Sequence, residues 1–123
     1  MKTYRFKNLD VWLKSIDIIK LVYKIIETFP DSEKYALSDQ LKRAAISISL
    51  NIAEGSGSGT DPEFGRFLKM SKRSAYEVLA ALEIAKELNM GDKLLLADAS
   101  DKIDELSAML SGLIHAVTKK AAG

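Results

Sequence analysis

The chain of 123 residues is 47% hydrophobic and 28% charged, a balance typical of a globular protein and not of a disordered one. Its formal net charge of +1 gives no argument for nucleic acid or a membrane, so any such argument needs a local patch. The absence of cysteine excludes disulfides and thiolate chemistry. Charged residues interrupt every apolar run, which argues against a signal peptide or membrane span. The lack of cysteine is compatible with a cytoplasmic location.

The first periodic segment predicts a helix over residues 9–29, with two adjacent apolar seams spaced by three and four. The first seam contains Val11, Ile18, Val22, Ile25 and Phe29, and the second contains Trp12, Ile16, Ile19, Tyr23 and Ile26. Together they cover about half the circumference, wider than the stripe of about 100° that a surface helix needs. This width predicts burial both in the subunit's own core and against another subunit. The alternative is a helix central to one bundle.

The second predicted helix covers residues 38–54, with Ser38 as its expected N-cap. Its apolar stripe consists of Leu37, Leu41, Ala44, Ala45, Ile48 and Ile52. Ile46 and Leu50 lie on the far side of that helix, which indicates a second buried surface. The predicted contacts between subunits are therefore Val11, Ile18, Val22, Ile25, Ile46 and Leu50.

A line of polar residues runs beside this stripe at steps of three and four. Its members are Gln40, Arg43, Ser47, Asn51 and Glu54. One interpretation is a hydrogen-bond network that fixes the register of neighbouring helices, because buried polar groups need partners. The other is the lining of a ligand or nucleic-acid groove. Amide, hydroxyl and charged groups without a nucleophile favour the structural interpretation.

The glycine-rich segment GSGSG at residues 55–59 predicts a flexible corner after this helix. It follows a helix and lacks the lysine of a phosphate-binding P-loop, although an exposed helix start can still attract an anion. Thr60 and Glu63 form a predicted capping box, and Pro62 suits a first helical turn. A third helix is expected over residues 61–89 and a fourth over 92–119. These elements predict a single all-α domain over residues 1–123, an antiparallel up-down-up-down four-helix bundle.

No constellation in the sequence predicts catalysis, a cofactor or a metal site. The single histidine, His115, lies near the end of the fourth helix, where complementing the helix dipole is its ordinary role. A di-iron bundle needs Glu-x-x-His on two helices, and Gly112 stands three residues before His115. We therefore expect a protein that is not an enzyme. The wide apolar face of the first helix, together with Ile46 and Leu50, favours a homo-oligomeric scaffold, and a nucleic-acid-binding protein is the alternative.

Basic and aromatic residues supply a candidate surface for RNA or single-stranded DNA, since cations with aromatic rings are typical of such sites. The candidates are Lys2, Arg5, Lys7, Arg66, Lys69, Lys72, Arg73 and Tyr76. The favoured interpretation, given the net charge near zero, is a solvated surface whose cations are neutralised by acids of the fourth helix. Those acids are Asp98, Asp101, Asp104 and Glu105.

Three segments, FKNLDVW, FPDSEKYALSDQLKRAAISISLNIAEGSGSG and EFGRFLKMSKRSAYEVLAALEIA, resemble the 23S rRNA-intervening sequence proteins. The resemblance spans nearly the whole chain, and its most specific part is QLKRA followed by SIxxNIAEGSG. It implies a small cytosolic bacterial four-helix protein that assembles into homopentamers, with self-association as the main partnership. Some such proteins are encoded within ribosomal RNA genes, and related ones are accessories of reverse transcriptases that engage nucleic acid. The family often has arginine at the position of Ser58, and its absence weakens a phosphate-binding interpretation of the corner.

Overall fold

The computed structural model describes residues 4–31 and 36–122 and shows four α-helices preceded by a short 3-10 turn at Arg5–Asn8. The helices are α1 Asp10–Glu27, α2 Leu37–Ser56, α3 Asp61–Glu87 and α4 Lys93–Ala122. No strand occurs in the described part of the chain. The predicted all-α four-helix bundle is confirmed.

The helices pack in the order in which they follow one another. α1 packs against α2, α2 against α3, and α3 against α4, and α4 closes the ring by packing against α1. Short connections require each helix to run opposite to the one before it, which gives the up-down-up-down arrangement. The first half of α3 therefore lies beside the second half of α4.

The core contains side chains from all four helices, because each helix repeats apolar residues at three- and four-residue steps. The largest fully buried side chains include Ile18, Ile25, Leu41, Ile48, Ile52, Leu68, Leu82, Ile103, Leu106 and Leu110. None of the described helices is long and apolar enough to cross a bilayer.

Four of the predicted subunit contacts belong to this core. Val11, Ile18, Val22 and Ile25 are buried within the subunit itself, so the prediction that they contact another copy is wrong. The physical reason is that α1 packs between α2 and α4, and this packing encloses the first seam. Part of the second seam is covered as well, since the Trp12 ring meets an N-terminal aromatic ring with centroids 4.6 Å apart. The wide apolar face of α1 is thus largely used within one subunit.

Side chains at the helix starts fix where the helices begin. Thr60 caps α3 as predicted, with its Oγ1 accepting from the Glu63 backbone N at 3.3 Å. The predicted cap at Ser38 is wrong, because α2 begins one residue earlier and buries Ser38 in its first turn. At the start of α4, Asp92 is the cap, since its Oδ1 accepts from the Leu94 N at 2.9 Å and from the Leu95 N at 3.0 Å.

Close packing at the α2–α3 corner positions the start of α3. Gly55 is buried in the last turn of α2, and a Cβ there would lie 2.7 Å from the Phe67 Cβ. That distance is closer than side-chain carbons approach, so only glycine lets the two helices meet here. The glycine-rich segment is therefore a packed corner at Gly55 and a turn beyond it.

Candidate nucleic-acid interface

One open groove between α3 and α4 contains four of the predicted nucleic-acid contacts. Lys69, Lys72, Arg73 and Tyr76 line its α3 side. Its α4 side is lined by Ser111, Ile114, His115 and Thr118. The α3 residues meet on one side because they are spaced by three and four along a helix. The described residues of the α4 wall add hydroxyl and imidazole groups and no carboxylate.

Arg66 is occupied by a contact within α3. Its Nε donates to Glu63 Oε1 and its Nη2 donates to Glu63 Oε2, both at 3.0 Å. The guanidinium also lies 4.5 Å from the centroid of the Phe67 ring. The hydrogen bond with Arg66 holds the pKa of Glu63 below its ordinary value, and the same bond raises the pKa of Arg66. Arg66 therefore differs from the groove cations, because its charge already has a partner.

The N-terminal candidates lie apart from the residues that line the groove. The 3-10 turn that carries Arg5 and Lys7 contacts α1 and α2. The Arg5 guanidinium carbon lies 5.2 Å from the centroid of the Phe64 ring at the start of α3. Lys7 is exposed, and Lys2 lies outside the described residues. The structure does not bring Arg5 or Lys7 into the α3–α4 groove.

The acids of α4 do not line this groove. Asp98 accepts from Lys102 Nζ at 2.6 Å, and that hydrogen bond raises the pKa of Lys102. Glu105 pairs with Lys14 of α1, and the hydrogen bond between them lowers the pKa of Glu105. Asp101 lines a second groove nearer the α3–α4 turn. The antiparallel arrangement separates these acids from the groove cations, because the acids lie in the first half of α4.

The polar line on α2 connects that helix to α3. Gln40 Nε2 donates to Glu77 Oε2 at 3.0 Å, and the Ser47 and Ser74 hydroxyls are 2.9 Å apart. Asn51 Nδ2 donates to the Ser47 backbone O at 2.9 Å, within α2. The bonds of Gln40 and Ser47 to α3 support the interpretation of these two residues as register-fixing links, while Asn51 bonds to Ser47 of its own helix.

The other two members of the polar line are placed differently. Arg43 and Glu54 are exposed, and the hydrogen bonds and salt bridges found among the described residues do not include them. The negative charge of Glu54 contributes to the raised pKa of Arg66, after the larger effect of Glu63. Arg43 lines a shallow groove on the opposite side of α2 from the core.

Buried serines form further links that the sequence analysis did not identify. The Ser15 and Ser49 hydroxyls are 2.7 Å apart and join α1 to α2, and Ser15 also donates to the Trp12 O at 2.7 Å. Ser71 of α3 donates to the Ile48 O of α2 at 2.8 Å. Their signal in the sequence is spacing, since each serine occupies a core position three or four residues from buried apolar neighbours.

Apolar side chains on the outer side of α2 remain exposed. Leu50 is 58% exposed and Ile46 is 37% exposed, and both line the shallow groove that also contains Tyr23 of α1. Lys42 covers the Tyr23 ring, with its Nζ 5.4 Å from the ring centroid. These two α2 residues are the predicted subunit contacts that stay accessible on one copy of the chain.

The groove presents cationic, hydroxyl and imidazole side chains. His115 is the one histidine of the chain, and it lies beside lysine, arginine and hydroxyl groups. Within the described residues, no group of three or more potential metal ligands comes together. Cations around an open groove are suited to holding a polyanion.

Comparison with known proteins gives a family and a fold. A family model described as 23S rRNA-intervening sequence protein matches residues 7–112. A solved structure from Bacteroides thetaiotaomicron, a protein of unknown function from the S23 ribosomal protein family, has the same fold with a TM-score of 0.78. The two chains are 19% identical over 85% of this chain and 97% of the other. No match was found among curated proteins.

Proposed function

The chain belongs to the 23S rRNA-intervening sequence protein family, and from the groove geometry we propose that it is a non-enzymatic protein that binds nucleic acid. The ligand is RNA or single-stranded DNA, and the binding site is the α3–α4 groove. One observation carries the proposal: Lys69, Lys72, Arg73 and Tyr76 line a single open groove that no carboxylate among the described residues lines.

The physical basis is the release of counterions from the phosphate backbone. Each cation that neutralises a phosphate releases condensed ions, and this release drives binding independently of sequence. Lys69 and Arg73 are both exposed on α3, one turn apart, so they can contact successive parts of one strand. Lys72 lies between them and is half-buried. Three adjacent cations supply a local charge that the overall net charge of +1 conceals.

Fluorescence anisotropy with labelled RNA and DNA over a salt series tests this proposal. The double variant Lys69→Ala/Arg73→Ala should weaken binding and reduce the slope of log K against log salt by about 1.4, because each single-strand phosphate left without its cation lowers the slope by about 0.7. The matched control is Lys20→Ala/Lys24→Ala, which removes two exposed cations from α1. The control should retain the wild-type slope.

Two results would count against the proposal. The first is no measurable binding at low salt by the wild-type protein. The second is an equal reduction in the groove variant and the α1 control, because equal reductions indicate a response to net charge and not to the groove. Circular dichroism should show the same helix content in all three proteins, since the four substituted side chains contribute little to the core.

Self-assembly as a non-enzymatic scaffold is the second candidate function. The exposed side chains of Ile46 and Leu50 favour it. They are neighbours on one helix face, and covering apolar side chains with a partner lowers the free energy of the complex. The family resemblance implies five-fold assembly, and a second copy is the partner that it indicates. Binding to nucleic acid and assembly are compatible, since repeated grooves would multiply the phosphate contacts.

Light scattering measures this assembly directly. A stable monomer at micromolar concentration would refute it. If the α2 face carries the contact, Ile46→Lys/Leu50→Lys should dissociate the assembly. The control Leu94→Lys, at the most exposed large apolar side chain described, should leave the mass unchanged.

A further inference from the structure

Tyr76 is an aromatic residue that lies outside the hydrophobic core. Its side chain is 60% exposed, although α3 buries apolar residues on the side that faces α2 and the core. It lines the basic groove together with Lys72 and Arg73. A tyrosine ring that is mostly in water forgoes most of the burial that usually stabilises an aromatic side chain.

Comparison with Tyr23 shows why Tyr76 differs from an ordinary surface tyrosine. Tyr23 is 43% exposed, and Lys42 lies over its ring at 5.4 Å from the centroid. The ring contacts and cation–π contacts found among the described residues do not involve Tyr76. The cations near Tyr76 line the groove beside it, so its ring faces are available to a ligand.

The spacing of the groove cations matches a ligand that presents both phosphates and a base. Lys72 and Arg73 precede Tyr76 by four and three residues, which places their Cβ atoms about 5–6 Å from that of the tyrosine. Lys69 lies one turn further along, and the line from Lys69 to Tyr76 is about 10 Å long at 1.5 Å per residue. A ligand on this line contacts cations along most of its length and an aromatic ring at one end.

Base-paired nucleic acid cannot use the aromatic ring. In a duplex the faces of each base are stacked against neighbouring base pairs, whereas unpaired bases can turn outward and stack on aromatic side chains. The cations alone would bind either form, because phosphates are common to both. The tyrosine is therefore the element that favours one form over the other.

We propose that the α3–α4 groove selects single-stranded nucleic acid by stacking an unpaired base on Tyr76 while Lys72 and Arg73 bind the phosphates beside it. This inference rests on the proposed function and names its ligand class. The groove then binds an unpaired segment more tightly than a duplex of the same sequence at the same salt concentration.

The test measures anisotropy with one labelled RNA oligonucleotide as a single strand and as a duplex. Tyr76→Leu should weaken single-strand binding by roughly 5- to 150-fold, the cost of removing one base–aromatic stack. It should leave duplex binding within about two-fold, because duplex binding uses phosphate contacts. Tyr76→Phe should retain single-strand binding, since a phenyl ring still stacks.

Tyr23→Leu is the matched control, because it removes a partly exposed tyrosine of α1 that does not line the groove and should leave single-strand binding unchanged. A second readout follows the stack itself: a fluorescent adenine analogue in the strand should change intensity on binding to the wild type and not to Tyr76→Leu. Thermal unfolding should show that both leucine variants remain folded, since neither ring belongs to the hydrophobic core.

Equal binding of strand and duplex, or no effect of Tyr76→Leu on the single strand, would overturn this inference. If Lys69→Ala/Arg73→Ala still weakened binding and reduced the salt slope in that case, the proposed nucleic-acid function would stand without strand selection. No binding of either RNA form by the wild type would overturn both.

Discussion

Two glycines inside helices respond oppositely to alanine, and their difference tests the packing of the α2–α3 corner. Gly112 lies within α4, and a Cβ built on it meets nothing within 4 Å. Gly112→Ala therefore gains only helix propensity and should stabilise the protein by about 1 kcal/mol. For a domain of this size that gain raises Tm by about 4 °C.

Gly55→Ala gains less helix propensity, because Gly55 lies in the last turn of α2, and it introduces a clash. The new Cβ would lie 2.7 Å from the Phe67 Cβ and 3.0 Å from the Phe64 Cδ1. The Phe67 Cβ is bonded to the α3 backbone, so it cannot rotate away and the helices must separate. Overpacking of this kind lowers the free energy of unfolding by about 1–3 kcal/mol, so the net effect of Gly55→Ala is a loss of about 1 kcal/mol of unfolding free energy. The two variants should then differ in unfolding free energy by about 2 kcal/mol.

Chemical denaturation followed by circular dichroism measures both variants against the wild type. The m-values should agree, because the surface exposed on unfolding is nearly the same. A Gly55→Ala protein as stable as the wild type, or more stable, would refute the close approach of α2 and α3. It would also contradict the position of the first turns of α3, the helix that lines one side of the groove.

Two further results follow from buried and paired polar groups. Ser15→Ala should lower the free energy of unfolding by about 1–3 kcal/mol, because it leaves the buried Ser49 hydroxyl without its partner. The double variant Ser15→Ala/Ser49→Ala should lose less unfolding free energy than the sum of the two single variants. Strictly additive losses, measured by chemical denaturation, would contradict the hydrogen bond between the two serines. Arg66→Gln should raise the pKa of Glu63 toward 4.5, observable by NMR titration of the carboxyl carbon. Because the pKa of Glu63 is lower in the folded state, the ion pair with Arg66 stabilises the fold at pH values above the unfolded-state pKa of Glu63, and this stabilisation disappears as the pH falls through its folded-state pKa. A Glu63 pKa that is the same in Arg66→Gln and the wild type would exclude the ion pair.

The fold could be predicted because helix periodicity is a local property. Steps of three and four in apolar residues define each helix without knowledge of its neighbours. Which seam of α1 faces the core is not local, since it depends on how α1 docks between α2 and α4. Ile18 and Ile19 are both apolar in the sequence, yet only Ile18 is fully buried. This docking is why the subunit-contact prediction failed on α1.

The candidate site could be predicted in part for the same reason. The line from Lys69 to Tyr76 follows from helical spacing alone. The bond between Arg66 and Glu63 joins residues three apart on one helix, so its possibility was visible in the sequence. The position of Arg5 over the Phe64 ring was not, because it depends on where the N-terminal turn folds back. The α4 wall of the groove likewise required the relative placement of two helices.

The net charge of +1 does not describe the electrostatic potential of the groove, because charges of opposite sign are separated along the α3–α4 pair. Arg73 and Glu87 are fourteen residues apart on α3, or about 21 Å at 1.5 Å per residue. At physiological ionic strength the Debye length is about 8 Å, so the acids near the α3–α4 turn are screened from the groove. Glu77 is nearer, but it accepts from Gln40 on the α2 side of the helix. A polyanion approaching the groove therefore meets the field of the cations that line it, and the potential there is set by local geometry and not by the sum over the chain.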